Sequence, residues 1–353
     1  MSKKRKTRTP TRPSPAEWAK MIQYGKFSVA DDQGQPLFFK VGDTASVLPN
    51  KTTIGTRLPA HRYWHAKILA IRARRQSSLK SRRSDPVQTR PPDVWVQINW
   101  FYSPTQISYE NYIPGFRSGH CSKFERIYSD HLDCISALAF VAVTPMIKFR
   151  QDDPDQQPIL DELFYYRYHL QTTTRSFSMQ VYSRTDPDDV GLCGLCSAPY
   201  DVKNTDPLHV MHMCPRPNCR CFYHRSCLLE EGYWGPTADP LLRTSSSPDE
   251  LLSKTQSVGF EAMNVPLDLL TLAGQPIVRG AALPALGITG NSRDVIYARR
   301  LVYAAMQGTA VPDAWEDHVD LPASLVSSHL HPIQLEETGD DLMLACPNCH
   351  GPI

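Results

Sequence analysis

Apolar and polar positions alternate most clearly in two segments of the first half of the chain. In Val94–Tyr102, Val94, Val96, Ile98, Trp100 and Tyr102 share one face by the period of two, and Trp95, Gln97, Asn99 and Phe101 share the other. Ser103-Pro104 ends this strand, because proline cannot donate to a ladder. In Tyr63–Ile71 one face carries Trp64, Ala66, Ile68 and Ala70, and the other Tyr63, His65, Lys67, Leu69 and Ile71. Shorter strand signals stand at Pro36–Lys40 and Ala45–Leu48, separated by a turn at Val41-Gly-Asp43. Several short strands with turns between them predict a barrel-like or sandwich all-β domain over about 20–175. The second half differs. Asn291-Ser-Arg-Asp opens a predicted helix reaching Met306, with Val295, Leu301, Val302 and Ala305 on roughly one side and Gly308 after its end. Helical signals also lie near 248–254 and 321–329, and no internal repeat is present.

Composition divides the chain further. With 353 residues there is room for two domains. Thirty prolines and a mean hydropathy of -0.37 indicate many loops. The best apolar run, Ile135–Val143, is far shorter than a membrane span. The polar, basic N-terminus does not read as a secretory signal. Ten cysteines would stay reduced in a nucleocytoplasmic protein, which would favour zinc over disulfides. The net charge of +2 hides an asymmetry: residues 1–90 hold 20 Lys and Arg against 5 Asp and Glu, and the remainder is acidic. Lys3-Lys4-Arg5-Lys6, with Arg8 and Arg12, reads as a nuclear localisation signal or a phosphate-binding arm in a disordered tail over 1–19. A second basic stretch at 72–93 reads as a flexible insertion between strands, able to contact nucleic acid through counterion release without reading its sequence.

Eight residues form four short pairs: Cys193-x2-Cys196, Cys214-x4-Cys219, His224-x2-Cys227 and Cys346-x2-Cys349. Thiolates and imidazoles two to four residues apart converge on one tetrahedral Zn²⁺. Two ions would fasten the C-terminal part, 193–353, after a linker at 176–192. A long insertion at 235–345 precedes the last pair. Closing that longer loop costs roughly 1.5 kcal/mol more than closing a 20-residue one. Structural zinc contributes on the order of 10–16 kcal/mol, so the insertion is tolerable. Cys221, His209 and His212 are rival ligands for the second ion. Four protein ligands per ion leave no open position for water, so the zincs are read as structural.

Tyr63-Trp-His-Ala-Lys-Ile-Leu-Ala-Ile71, Val94–Pro104, Tyr128-Ser-Asp-His-Leu-Asp133 and Phe164-Tyr-Tyr-Arg167 resemble, in order and spacing, the bromo-adjacent homology (BAH) domain. The four ligand pairs resemble a C4HC3 PHD finger. In that family the pairs cross-brace, which implies one site of Cys193, Cys196, His224 and Cys227 and another of Cys214, Cys219, Cys346 and Cys349. The family spacing of five residues before the histidine selects Cys219 over Cys221. Together the segments resemble the BAH–PHD chromatin readers of plants and fungi, including effectors of Polycomb-type repression. The implied fold is mainly β: a BAH-type barrel-like domain, then a cross-braced finger with a large, partly helical insertion.

The resemblance also implies a site. A trimethylammonium donates no hydrogen bond and is held by aromatic faces, at about 2 kcal/mol per desolvated contact. The family cage positions fall on Trp64, Trp100 and Tyr102, with Trp64 where the family often has Tyr. Tyr63 is the fallback third wall of the cage, and His131 and Asp133 match positions near the histone tail, which Tyr63 would also contact. In the finger, Tyr200 and Met211 match cage positions of H3K4me3 readers, but Phe222 replaces the usual Trp. The expected function is a nuclear, non-enzymatic reader of trimethyl-lysine on histone H3, H3K27me3 first, with two structural Zn²⁺ ions, histone or nucleosome partners, and a link to repression. Two rivals belong to other classes: a RING-like E3 ubiquitin ligase on the same zinc framework, and a sequence-independent nucleosome or DNA binder using the basic segments.

Overall fold

The alternating segments Trp64–Ala73 and Val94–Tyr102 pair antiparallel in the middle of a nine-stranded sheet. The computed structural model describes residues 11–31, 33–49, 57–74, 87–88, 94–109, 121–160, 162–174, 176–179, 191–199, 201–202, 204, 206–216, 218–234, 265–275, 277–279, 288–319, 344–350 and 353. In chain order the strands of the first half are β1 (Ile22–Tyr24), β2 (Lys26–Ala30), β3 (Pro36–Lys40), β4 (Thr44–Val47), β5 (Trp64–Ala73), β6 (Val87–Gln88), β7 (Val94–Tyr102), β8 (Glu125–Ser136), β9 (Phe140–Val143), β10 (Ile147–Lys148), β11 (Tyr165–Gln171) and β12 (Ser176–Met179). The large sheet runs β10-β11-β8-β7-β5-β4-β9, with β1 on β5 and β12 on β11; a smaller sheet runs β3-β2-β6. The protein is mainly β, as its alternation predicts.

The core of this half lies between the two sheets. Phe27 and Phe39 stack at 5.0 Å on the small sheet, and Phe140 of β9 meets Phe27 edge-on at 5.2 Å. Behind them stand Ala66, Ile68, Val96, Ile98 and Trp100. One expectation for β5 is corrected. Its register against β7 shifts between Ile68 and Ala70, so Ile71 and Ala73, rather than Ala70, continue the buried row begun by Ala66 and Ile68. One extra residue at a bulge exchanges the faces beyond it.

Three segments differ from their expected roles. Residues 11–19 are ordered: Ser14 and Glu17 form a reciprocal capping box, Pro15 occupies the first turn, and helix α1 (Pro15–Lys20) follows. Ser176–Met179, placed in a linker by its sequence, pairs antiparallel with β11. Within 72–93, Arg72 and Ala73 extend β5, and Val87–Gln88 lies parallel to β2; residues 75–86 and 89–93 lie outside the described residues.

Packing divides the chain into two units. The first takes Met1–Ser118, Lys123–Lys148 and Leu163–Met179, and the second takes Gly119–Ser122, Phe149–Glu162 and Gln180–Ile353. The second unit holds a three-stranded sheet, β14-β13-β15, of β13 (Met211–Met213), β14 (Phe222–His224) and β15 (Val278–Arg279). Its third strand comes from the insertion. So do helices α3 (Leu267–Ala273) and α4 (Ser292–Met306), and Arg299 of α4 donates to the carbonyls of Ala273 and Gln275 at 2.9 and 2.8 Å, closing the end of α3. The helix expected over 291–306 is present, with Val295, Val302 and Ala305 buried. The regions 248–254 and 321–329 lie outside the described residues. The insertion closes on itself where Trp234 bridges Leu344 and the Ala345 N–H donates to the Tyr233 carbonyl at 3.0 Å. That closure returns Cys346 and Cys349 to the finger. Among the described residues no helix is long and apolar enough to cross a membrane.

Candidate functional site

A cavity of about 580 Å³ opens in the first unit, where the end of β7 meets the start of β5 and the middle of β8. Trp64, Trp100, Tyr102, His131 and Asp133 all line it, together with Arg12, Trp95, Phe101 and Gln106. Trp64 and Trp100 meet at 5.5 Å between ring centroids with their planes 89° apart. Tyr102 lies parallel to the His131 ring at 6.1 Å, and its hydroxyl hydrogen-bonds His131 Nδ1. Trp100 is 8% exposed and belongs to the core, whereas Trp64 and Tyr102 are half-buried. Tyr63 is not in the wall; its hydroxyl accepts from the Leu58 N–H at 2.9 Å.

The Ser129-Asp130-His131 segment owes its geometry to a break in the β7–β8 register. Pairing passes from Asn99 with Leu132 to Phe101 with Tyr128, leaving Trp100 opposite three residues of β8. The Ser129 hydroxyl takes over the lost ladder bond by donating to the Trp100 carbonyl at 2.8 Å. Asp130 accepts from Thr172 N–H at 2.7 Å and fixes the bulge from outside. A bulge of this kind re-aims side chains, and here it carries His131 to Tyr102. Asp133 accepts from the Trp100 indole N–H at 3.3 Å through Oδ2 and from the Cys134 N–H at 2.7 Å through Oδ1. It therefore orients a wall of the cavity as well as charging it. Just past Tyr102, at this same end of β7, Ser103 and Gln106 exchange caps, with the Ser103 N–H donating to Gln106 Oε1 at 2.8 Å, so Pro104 opens helix α2 (Pro104–Tyr109) and the strand stops at Tyr102.

Behind the cavity strands, a buried polar cluster joins β8 to β11. Arg167 Nε donates to Glu125 Oε1 at 2.6 Å, and Tyr165 donates to the other carboxylate oxygen at 3.2 Å. Arg126 donates to His65 Nδ1 at 3.2 Å and to the carbonyls of Lys123, Glu125 and His61. Burial, then the Arg126 charge, lowers the His65 pKa to about 3, so the ring is neutral and accepts.

The second unit carries two donor clusters, Cys193 with Cys196, His224 and Cys227, and Cys214 with Cys219, Cys346 and Cys349; the ligand atoms of each lie within 4.8 Å of one another. The first and third pairs thus share one site and the second and fourth the other. Cys214 and Cys349 sulfurs stand 3.4 Å apart, and Cys219 and Cys346 sulfurs 3.5 Å. Disulfide sulfurs sit about 2.05 Å apart, whereas thiolates on a tetrahedral zinc stand about 3.8 Å apart, from a Zn–S bond of about 2.3 Å. His224 turns Nδ1 to the sulfurs of Cys196 at 3.3 Å and Cys227 at 3.9 Å. Without a cation the donors conflict. The hydrogen bond from Cys214 holds the Cys346 thiol down to about 4 and pushes Cys214 well up, and burial pushes Cys227 up to about 12. A dication removes that conflict, so the donor sets fit zinc.

Local backbone supports both clusters. Ser197 N–H donates to the Cys193 carbonyl and His350 N–H to the Cys346 carbonyl, each at 2.8 Å. Ser197, Arg220 and His350, each directly after a ligand cysteine, have positive φ of 57°, 48° and 54°. The turns close around the donor atoms at a conformational cost that a bound cation would offset. Among the rival ligands, Cys221 lies outside the cluster and donates to the Cys219 carbonyl at 3.5 Å. His212 is buried and accepts from Arg225 at 3.1 Å, and His209 is exposed. Met211, on β13, is fully buried and paired with Arg279 of β15; Tyr200 lies outside the described residues.

No family model matches the chain, and no curated protein sequence matches it. Among solved structures it is similar to the yeast Rsc2 BAH domain, with 14% sequence identity, 43% of this chain and 53% of that chain covered, and a TM-score of 0.26. Trp95, Gln106 and Arg12 line the cavity although their sequence context points elsewhere, Trp95 to the strand face opposite Trp100 and Arg12 to a basic arm. Trp95 and Phe101, on the strand face opposite Trp100 by simple alternation, line the same cavity as Trp100, beside the register break in β7–β8. Nothing in the local sequence of Arg12 marks its approach from 120 residues away.

Proposed function

We propose that this chain is a nuclear, non-enzymatic chromatin reader whose first unit binds a trimethylated lysine of the histone H3 tail, H3K27me3 first, and so links that mark to repression. The observation that carries the reading is the perpendicular Trp64–Trp100 pair beside Tyr102, in a cavity whose described wall includes one carboxylate, Asp133. Ring faces attract a methylammonium that cannot donate a hydrogen bond, and the carboxylate adds a favourable field without requiring a donor. The resemblance of the Tyr63–Ile71, Val94–Pro104 and Tyr128–Asp133 segments to BAH readers supplies the histone assignment. Two structural zincs hold the second unit together. The finger serves as scaffold in this reading, because one edge of β13 pairs with β14 and the other with β15, leaving that strand no free edge for an added peptide.

The test is a modified histone-peptide array on the full chain, followed by titration of H3K27me3 and unmodified peptides. Micromolar binding that depends on trimethylation is expected. Equal affinity for the unmodified peptide would refute the cage, and steep salt dependence with no methyl dependence would identify a nucleic-acid or nucleosome-surface binder instead.

A further inference from the structure

The cavity has a resident cation. Arg12 donates a guanidinium N–H to Asp133 Oδ1 at 2.8 Å, and the same carboxylate accepts the Trp100 indole N–H through Oδ2. Among the described residues lining the cavity, Arg12 is the one arginine or lysine and Asp133 the one carboxylate. The arm that brings Arg12 there is anchored along its length. Arg74 donates to the Thr11 carbonyl at 3.1 Å, Pro13 is buried, and Ser14 begins the capping box of α1. Arg72 then donates to the Trp18 carbonyl at 2.7 Å and lies over its ring at 5.1 Å. The contact at Asp133 is thus held by four further points rather than by a loose side chain. Beyond it the chain carries Lys3, Lys4, Arg5, Lys6 and Arg8, more positive charge on the same tether.

We propose that the N-terminal arm is an intramolecular competitor of the cationic ligand, with Arg12 occupying the acidic corner of the cavity until the ligand arrives. This rests on the methyl-lysine reading of the same cavity. The physical argument is charge balance. Asp133 is the described group that favours a cation inside the cavity, and the Arg12 guanidinium neutralises it and places a like charge at the mouth. The Arg12 side chain is 62% exposed, so the contact is weak enough for a ligand to displace. Tethering keeps it in place despite that weakness, because the second partner is always nearby. A covalent change that removes positive charge from the arm would then raise affinity without touching the cage.

The experiment uses the full chain and Arg12→Ala, with two readouts. The first is the indole N–H resonance of Trp100 without ligand, which moves when Asp133 loses its guanidinium. The second is affinity for an H3K27me3 peptide, expected to rise about two- to fivefold, the range an exposed ion pair supports, and less at high salt. In an Asp133→Asn background, Arg12→Ala should have no effect on affinity. An unmoved Trp100 resonance, or unchanged or weaker binding by Arg12→Ala, overturns the arm while leaving the cage intact. A moved resonance with no methyl-dependent binding by either protein overturns the cage and, with it, the competition.

Discussion

Trp64 and Trp100 stand edge to face at 5.5 Å on neighbouring strands, but they are not equivalent residues. Trp100 is buried among Ala66, Ile98 and Phe140 of the core cluster and tied to Asp133, whereas Trp64 packs against that cluster from its half-buried rim. One ring therefore supports the fold and the cavity together, and the other mainly the cavity.

Substitutions should separate these roles. Trp100→Ala is expected to lower stability by about 3–5 kcal/mol, as large-to-small changes at buried aromatics do, so loss of binding in that variant alone says little about the cage. Trp64→Ala and Tyr102→Ala should remain folded by circular dichroism and lose roughly 30-fold in affinity for the trimethylated peptide, the equivalent of one desolvated cation–π contact of about 2 kcal/mol. Retained affinity in both variants, with thermal unfolding close to wild type, would remove the aromatic cage as the binding device.

The convergence of Trp64, Trp100, Tyr102, His131 and Asp133 on one cavity was legible because strand period, and the spacing on which the resemblance to BAH segments rests, act locally. Trp100 and Tyr102 share a face by simple alternation, and the partner strand follows from its own alternation. The bulges were not legible. Ile71 and Ala73 replace Ala70 in the core because the β5 register slips, and only the hydrogen-bond partners record that slip. Arg12 was illegible for a different reason: its partner lies across the fold, and its own neighbours read as a charged tail. The Cys and His donor pairs were the most legible feature, since ligand spacing is itself the chemistry. The return of Cys346 after the insertion depends on the Trp234–Leu344 bridge, which has no spacing signature.

Metal removal should act on the second unit. Chelation is expected to release two zinc ions per chain by elemental analysis and to abolish cooperative unfolding of that unit, because site and fold form together. Cys219→Ser should reduce the content to one ion, while Cys221→Ser should keep two, since the Cys221 sulfur lies outside the cluster. A content of one ion in Cys221→Ser would reassign the fourth ligand.

His65 gives the first unit a defined acid sensitivity. Burial, with the Arg126 charge as a second cause, depresses its folded pKa from 6.5 to about 3. Between those values the unfolded chain binds a proton that the folded chain does not, so stability rises with pH there and falls on acidification below about 6.5. At each pH unit in that window the slope from this one group approaches about 1.4 kcal/mol. Urea unfolding at pH 7 and at pH 5 should show a larger loss for wild type than for His65→Gln, whose side chain does not titrate. Parallel losses in the two proteins would mean that His65 takes up its proton in the folded state.

Gly290 makes the insertion dependent on the finger's sheet. Its φ is +63°, and a Cβ added there would lie 1.9 Å from the Val278 carbonyl oxygen, on the strand that pairs with β13. The Asn291 side chain accepts from the Val278 N–H at 2.7 Å, and the Asn291 N–H donates to the Val278 carbonyl at 3.1 Å. The turn and β15 thus clamp each other, with backbone against backbone where no side chain can rotate away. Gly290→Ala combines that clash with a left-handed conformation unfavourable to alanine, and should cost the second unit about 2 kcal/mol or more. Because β15 also supports Met211 and His212, two strand residues near the His224 ligand, the variant should release zinc at lower denaturant concentration than wild type, followed with a chromogenic chelator. Cavity binding in the first unit should stay unchanged in the same sample. Zinc release at the wild-type midpoint would mean that β15 rests on the finger without stabilising it.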